Sequence, residues 1–285
     1  MAKKKSSPLG VVAVIPARYG STRFEGKPLA DILGKPMIQW VYEGVCEAER
    51  VDEVMVATDD ERIRQAVLGF GGRAVMTSSA HRTGTDRVAE VARRLRAEIV
   101  VNVQGDEPLI KGSLIDRAVD LLLSDKETPM ASLMTPMREV REWLNPNVAK
   151  VVVDQDRFAL YFSRSPIPFP RDLRPEIASR RPLGNRKTLP HTVFKHIGLY
   201  VYRRPFLLRF SQMEPTPLEQ LEKLEQLRAL EKGYRIKMAI VDYEPVCVDT
   251  PEDLKKVIAV IKKERNKGSG RVDPKVARIP PERAR

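Results

Sequence analysis

Apolar residues in the first hundred positions fall in short unbroken runs. Each run stops at a polar or glycine-containing turn and is followed by a segment with helical spacing. Gly10-Val11-Val12-Ala13-Val14-Ile15 is almost wholly apolar and β-branched. That is the pattern of a parallel strand buried on both faces, not the alternation of a half-exposed one. Residues 54–58, 74–76 and 99–103 repeat it, with helical patterns over 37–48, 61–69 and 86–96 between them. Such alternation predicts an α/β fold with a doubly wound, mostly parallel, Rossmann-like sheet. Ligands of such sheets bind beyond the carboxyl ends of the strands, where this chain places its unusual residues.

The pattern changes after residue 128. Pro166, Pro168, Pro170, Pro175 and Pro182 punctuate an Arg-rich stretch that reads as a long exposed arm. Order returns over 196–202. Leu218, Leu221, Leu224, Leu227 and Leu230 recur every third residue. This predicts one helix over 218–231, packed on several sides, since a three-residue stripe drifts around the helix. Residues 267–285 are polar and proline-containing, and read as a disordered tail. The expected organisation is a basic tail over 1–10, a single domain over 11–262 with halves at 11–128 and 129–262, and a second basic tail over 263–285.

Charge changes the picture less than its total implies. The net charge is +12 over 285 residues. Lys3, Lys4 and Lys5 supply three of these charges and residues 262–285 a net six, which leaves +3 for the rest. Basic arms on a nucleic-acid-binding protein are one reading. Solubilising tails on an enzyme with anionic substrates are the other, favoured because the excess is terminal. No stretch approaches eighteen uninterrupted apolar residues, so no membrane insertion is expected. Met1-Ala2-Lys3-Lys4-Lys5 begins like a secretion signal, but the apolar run after it is short and reads as the first strand. Cys46 and Cys247 are far apart and lack metal-ligand spacing, which points to reduced thiols and no zinc site.

Candidate chemistry begins at Pro16-Ala17-Arg18-Tyr19-Gly20-Ser21-Thr22-Arg23-Phe24-Glu25-Gly26-Lys27-Pro28. Small residues between a strand and a helix let backbone N–H groups approach phosphate oxygens, and Arg18, Arg23 and Lys27 add the charge a triphosphate needs. The loop is not a P-loop, because Pro28 stands where a magnesium-binding Ser or Thr would be. Gln104-Gly105-Asp106-Glu107-Pro108 follows a strand directly and offers a carboxylate for Mg²⁺. Asp249 offers another, although Thr250-Pro251-Glu252-Asp253 is also a good helix start.

Together these segments resemble the sugar nucleotidyltransferases. They are similar in particular to the 3-deoxy-manno-octulosonate (Kdo) cytidylyltransferase family. The resemblance also rests on His81-Arg82-Thr83-Gly84-Thr85-Asp86-Arg87, residues 145–151, Tyr161-Phe162-Ser163-Arg164-Ser165-Pro166-Ile167-Pro168, His196-Ile197-Gly198-Leu199-Tyr200, and residues 218–230 and 248–254. Phe24-Glu25, Thr83 and Cys247 stand where that family usually has Leu-Pro, Ser and Gly.

The resemblance implies a fold of the nucleotide-diphospho-sugar transferase type with a smaller sugar-binding and dimerisation subregion. The first half of the domain would bind CTP, and the second half would carry the sugar site and the arm. It implies a cytoplasmic homodimer using CTP, Mg²⁺ and an acidic eight-carbon sugar for lipopolysaccharide synthesis. Ala17, Arg18, Lys27, Thr77, Ser78, Arg82, Gln104 and Asp106 would bind the nucleotide. Asp106 and Asp249 would hold the metal and, with Arg18 and Lys27, carry catalysis. Gln104, Arg164, His196, Tyr200, Glu225 and Gln226 would line the sugar pocket, with Arg164 and His196 as charge-assisted donors to the sugar carboxylate. An 8-amino form of Kdo or a sialic acid remains an alternative acceptor, and a catalytically dead scaffold is a further reading.

Overall fold

The structure, a computed structural model, describes residues 10–20, 23–171, 189 and 192–268. Most of the expected tails over 1–10 and 263–285, and most of the proline-rich arm, lie outside the described residues, but residues 263–268 continue a helix where a disordered tail was expected. Strand β1 (Val11–Ala17) pairs in parallel with β4 (Glu53–Thr58) on one side and β6 (Ile99–Asn102) on the other. Val11, Ala13 and Ile15 enter one core, against α1 (Met37–Cys46) and α4 (Gly112–Ser124). Val12 and Val14 enter the other, against α3 (Gly84–Arg93). Burial on both faces is why the strand is apolar throughout, each such side chain contributing about 1.5–3 kcal/mol.

The sheet runs β11 (Ile236–Ile240), β7 (Met130–Pro136), β10 (Phe194–Arg203), β6, β1, β4, β5 (Ala74–Met76). β10 runs against both its neighbours β6 and β7, while the other adjacent pairs in this order are parallel. β8 (Lys150–Val153) and β9 (Ala159–Ser163) form an antiparallel hairpin that joins the sheet through β10. β2 (Asp31–Ile32) and β3 (Lys35–Pro36) make a separate small ladder. The remaining α-helices among the described residues are α2 (Glu61–Gly69), α5 (Val140–Trp143), α6 (Arg204–Phe210), α7 (Pro217–Glu222), α8 (Leu227–Glu231) and α9 (Pro251–Gly268). The expected α/β sheet is thus present, and the second half of the chain joins the same sheet as the first.

Two local features differ from the sequence expectation. The single helix expected over 218–231 is two short helices, broken at Lys223, which takes a left-handed conformation (φ 53°, ψ 44°). The third helix starts earlier than residue 86, because the Thr83 hydroxyl accepts from the Asp86 N–H and the Asp86 carboxylate accepts from the Thr83 N–H. This reciprocal cap fixes the helix start at the rim of the sheet.

β10 carries an irregularity between Ile197 and Tyr200. The Ser132 hydroxyl reaches the carbonyls of Ile197 (3.2 Å) and Leu199 (2.7 Å) there. Four residues of regular strand span about 13 Å. The His196 and Tyr200 rings nevertheless lie 5.3 Å apart, so the bulge gathers them on one wall.

Candidate active site

Two adjacent clefts open beyond the carboxyl ends of β1 and β6. The first, about 400 Å³, is lined by Pro16, Ala17, Arg18, Arg23, Lys27 and Pro28 from the loop after β1, by His81, Arg82, Thr83, Gly84 and Arg87 at the start of α3, and by Gln104, Gly105, Asp106 and Asp249. Gly26 closes the loop, its N–H donating to the Tyr19 carbonyl at 3.0 Å. Its φ of +68° suits glycine, and a Cβ there would stand 3.1 Å from the Tyr19 ring. Gly105 lets the β6 loop approach the loop after β1, since a Cβ would come within 2.8 Å of the Pro16 carbonyl oxygen. Arg18, Arg23, Lys27, Arg82 and Arg87 face Asp106 and Asp249 in this cleft. A positive balance of this kind accepts a polyphosphate.

Lys27 ties these parts together. Its Nζ donates to Asp106 Oδ2 (2.8 Å) and to the Val248 carbonyl (2.8 Å), and lies 3.5 Å from Asp249 Oδ1. Arg23 pairs with both oxygens of Asp249 at 3.1 and 3.2 Å. The two carboxylates therefore converge on one point already held by a cation. Among the described residues no set of three His, Cys, Asp or Glu side chains forms a complete metal cage. Two converging carboxylates beside a polyphosphate cleft are the donor set Mg²⁺ uses when phosphate oxygens and water complete its shell.

The second cleft, about 370 Å³, shares Gln104 and Asp106 with the first and adds Glu107, His196, Ile197, Gly198, Tyr200, Lys223, Leu224, Glu225, Gln226, Pro245 and Cys247. Tyr200 donates its hydroxyl to Gln226 Oε1 at 2.9 Å, and burial holds the phenol above its ordinary range. Gln226 Nε2 is buried without a hydrogen-bond partner, as is Glu225 Oε1. The other Glu225 oxygen accepts from Thr85 Oγ1 at 2.5 Å, and burial raises the carboxyl's pKa. Glu225 Oε1 keeps an ion-pair contact with Arg228 at 3.7 Å, whereas the unpartnered Gln226 amide costs roughly 1–3 kcal/mol until a ligand supplies an acceptor. Sugar hydroxyls, which both donate and accept, meet that need. Glu107 is buried and pushed up to about 7 by desolvation and by neighbouring Asp106; its Oε1 accepts from the Cys247 thiol at 3.5 Å.

The expectation that His196 donates to a carboxylate with charge assistance is not met. Burial drives its pKa down to about 3, so the ring is neutral at ordinary pH. Ser132 Oγ lies 2.7 Å from the Leu199 carbonyl, which requires the serine proton there. The His196 Nε2 at 2.8 Å must then donate to Ser132, leaving Nδ1 as an acceptor. A neutral acceptor suits a sugar hydroxyl.

Of the other sequence candidates, Ala17, Arg18, Lys27, Arg82, Gln104, Asp106 and Asp249 meet in the first cleft, and Gln104, His196, Tyr200, Glu225 and Gln226 in the second. Thr77 and Ser78 line neither. The Thr77 hydroxyl donates to the Thr58 carbonyl and accepts from Arg87, and the Ser78 N–H donates to Glu90. Arg164 also lines neither, its guanidinium donating to the carbonyls of Glu222 (2.6 Å), Pro146 (3.0 Å) and Lys223 (3.4 Å). Arg87, Glu107 and Lys223 also line the clefts, outside the sequence candidates. Arg87 and Glu107 sit inside the candidate motifs, whereas Lys223 carries no signal until the helix break is seen.

The family model described as cytidylyltransferase matches residues 12–238. A 3-deoxy-manno-octulosonate cytidylyltransferase of Geotalea uraniireducens is 58% identical over 253 residues, 89% of this chain and 99% of the relative. That of Geobacter sulfurreducens is 54% identical over 254 residues, 89% and 100% of the two chains. The solved structure of a CMP:2-keto-3-deoxy-manno-octonic acid synthetase complexed with CTP has a TM-score of 0.81 at 44% identity, covering 90% of this chain and 99% of that one. On these likenesses the chain belongs to the cytidylyltransferase family, among the 3-deoxy-manno-octulosonate cytidylyltransferases.

Proposed function

We propose that the chain transfers CMP from CTP to the anomeric hydroxyl of 3-deoxy-D-manno-octulosonate, releasing pyrophosphate. The observation that carries this is the shared wall: a polyphosphate cleft and a sugar-sized polar cleft meet at Gln104 and Asp106. A nucleotide in the first and a sugar in the second would face each other across these residues. The relatives' names, and the CTP held by the structural neighbour, supply the identities of the two reactants.

The reading gives the protein a positioning and charge-neutralising role. Arg18 and Arg82 attract the triphosphate, and Lys27 sets the distance between the loop after β1, Asp106 in the loop after β6 and Asp249 just before α9. Asp106 and Asp249 would hold Mg²⁺, which supplies neutralisation of phosphate charge and polarisation of the attacking hydroxyl. Gln226 Nε2, Glu225 Oε1 and His196 Nδ1 orient sugar hydroxyls.

The proposal extends to a cytoplasmic homodimer whose product serves lipopolysaccharide assembly. Light scattering is expected to give about twice the 32.3 kDa chain mass.

Pyrophosphate release tests the reaction. It should require CTP, Mg²⁺ and Kdo together, with ATP, GTP and UTP inactive. Release with 8-amino-Kdo or a sialic acid but not with Kdo would keep the chemistry and change the acceptor. Silence with every acidic sugar would reject the proposal.

A further inference from the structure

An acidic sugar brings a carboxylate into a cleft whose described lining already includes Asp106, Glu107 and Glu225. Asp106 is paired with Lys27 and Glu225 lies 3.7 Å from Arg228, so repulsion is partly offset. Desolvation still opposes entry unless a cation meets the carboxylate. The Mg²⁺ proposed at Asp106 would do so on the nucleotide side, and the sugar side needs a basic side chain. Two basic groups that the motif places near this cleft are otherwise committed. His196 is an uncharged acceptor bonded to Ser132. Arg164 directs three of its five guanidinium N–H groups to backbone carbonyls and does not line the cleft.

Lys223 is the one Lys or Arg among the described residues lining the cleft, and it is exposed. It stands in a left-handed backbone conformation between α7 and α8, where glycine or asparagine is the usual occupant. The turn is pinned from outside. Glu222 accepts from the Arg164 N–H (2.9 Å) and from Ser163 Oγ (2.6 Å), while Arg164 Nε donates to the Glu222 carbonyl. The break in the leucine helix thus sets a lysine, in a conformation lysine does not favour, at the wall of a cleft whose described lining holds three carboxyl groups and no other Lys or Arg.

We propose that Lys223 determines specificity for the acidic sugar, its ammonium pairing with the sugar carboxylate. This rests on the acidic-sugar reading above and adds the residue that recognises the acid. Arg164 and Glu222 hold the turn that presents it.

The test compares wild type with Lys223→Gln, Lys223→Gly and Lys223→Arg, each assayed with Kdo and with its carboxamide. Glycine suits the left-handed position, so Lys223→Gly should fold at least as well as Lys223→Gln, and a melt of each variant checks it. For Kdo, the KM of both neutral variants is expected to rise about 10- to 100-fold, the size of a lost charge-assisted bond. The kcat and the KM for CTP should stay near wild type, and Lys223→Arg should recover part of the loss. Wild type should prefer the acid over the carboxamide, and the neutral variants should lose that preference. A Kdo preference that survives in both neutral variants overturns the role of Lys223 while leaving the reaction intact. If wild type uses another acidic sugar, the same comparison runs on that sugar and its carboxamide. Wild-type silence with every acidic sugar overturns both readings, so the two failures are distinguishable.

Discussion

At the scale of single residues, the site depends on how few charges do several jobs. Lys27 meets Asp106, Asp249 and the Val248 carbonyl, so one ammonium sets the spacing of the proposed metal ligands. Asp106→Asn keeps the shape and removes the charge. Its turnover is expected to fall by on the order of 10²–10³-fold, with the melting midpoint within about 3 °C of wild type, as read by pyrophosphate release and circular dichroism. His196 makes a different kind of prediction. Its pKa is about 3 in the folded chain, against about 6.5 in an unfolded one, so below pH 6.5 the unfolded state binds the extra proton. The stability held by the neutral ring is complete above pH 6.5 and is lost as pH falls from there toward 3. Between pH 7.5 and 5.5 wild type should lose about 1 kcal/mol more than His196→Gln in urea melts. An equal loss in both would contradict a neutral buried ring.

At the scale of elements, the strands were more legible than their partners. The apolar run of β1 announces a strand covered on both faces because each alternate residue enters a different core. Nothing local announces that β10 inserts between β6 and β7, since the pairings join residues about a hundred positions apart on the β6 side and about 60 to 70 apart on the β7 side. The leucine stripe over 218–230 was misread for a related reason. Its period describes a helix packed on several sides, yet the chain breaks at Lys223 with neither glycine nor proline to mark the place. Leu221 is therefore 79% exposed, while Leu224 and Leu227 enter the core. Packing between helices is testable at Gly112, the first residue of α4. A Cβ there would stand 2.3 Å from the Ala48 N and 2.4 Å from the Glu47 carbonyl carbon, so backbone meets backbone just past the end of α1. Gly112→Ala should cost about 1–3 kcal/mol in urea unfolding, with the KM for both substrates unchanged.

For the molecule as a whole, the two clefts lie at the carboxyl ends of interior strands of one sheet. That position was legible because small, basic and acidic residues stop the apolar runs at the strand ends. The roles of Arg164 and His196 were not, because they depend on which hydrogen-bond partners folding brings to them. The net charge of +12 belongs mostly elsewhere. Removing residues 1–9 and 269–285 deletes half of it. The trimmed protein should elute from heparin at lower salt and keep its kcat/KM within about twofold, since every residue described as lining the clefts is retained.

Gln104 and Asp106 belong to both clefts, and this bears on how a turnover ends. The proposed product is one molecule whose nucleotide half and sugar half occupy the two clefts together. While one half stays docked it holds the other at a local concentration in the millimolar range, so the halves rebind each other's empty seats. Departure requires both to let go at once. Clefts that are open, polar and only modestly tight toward each half are what such a product needs to leave. A substitution that tightened either one would lengthen the product's residence and slow the cycle it was meant to improve.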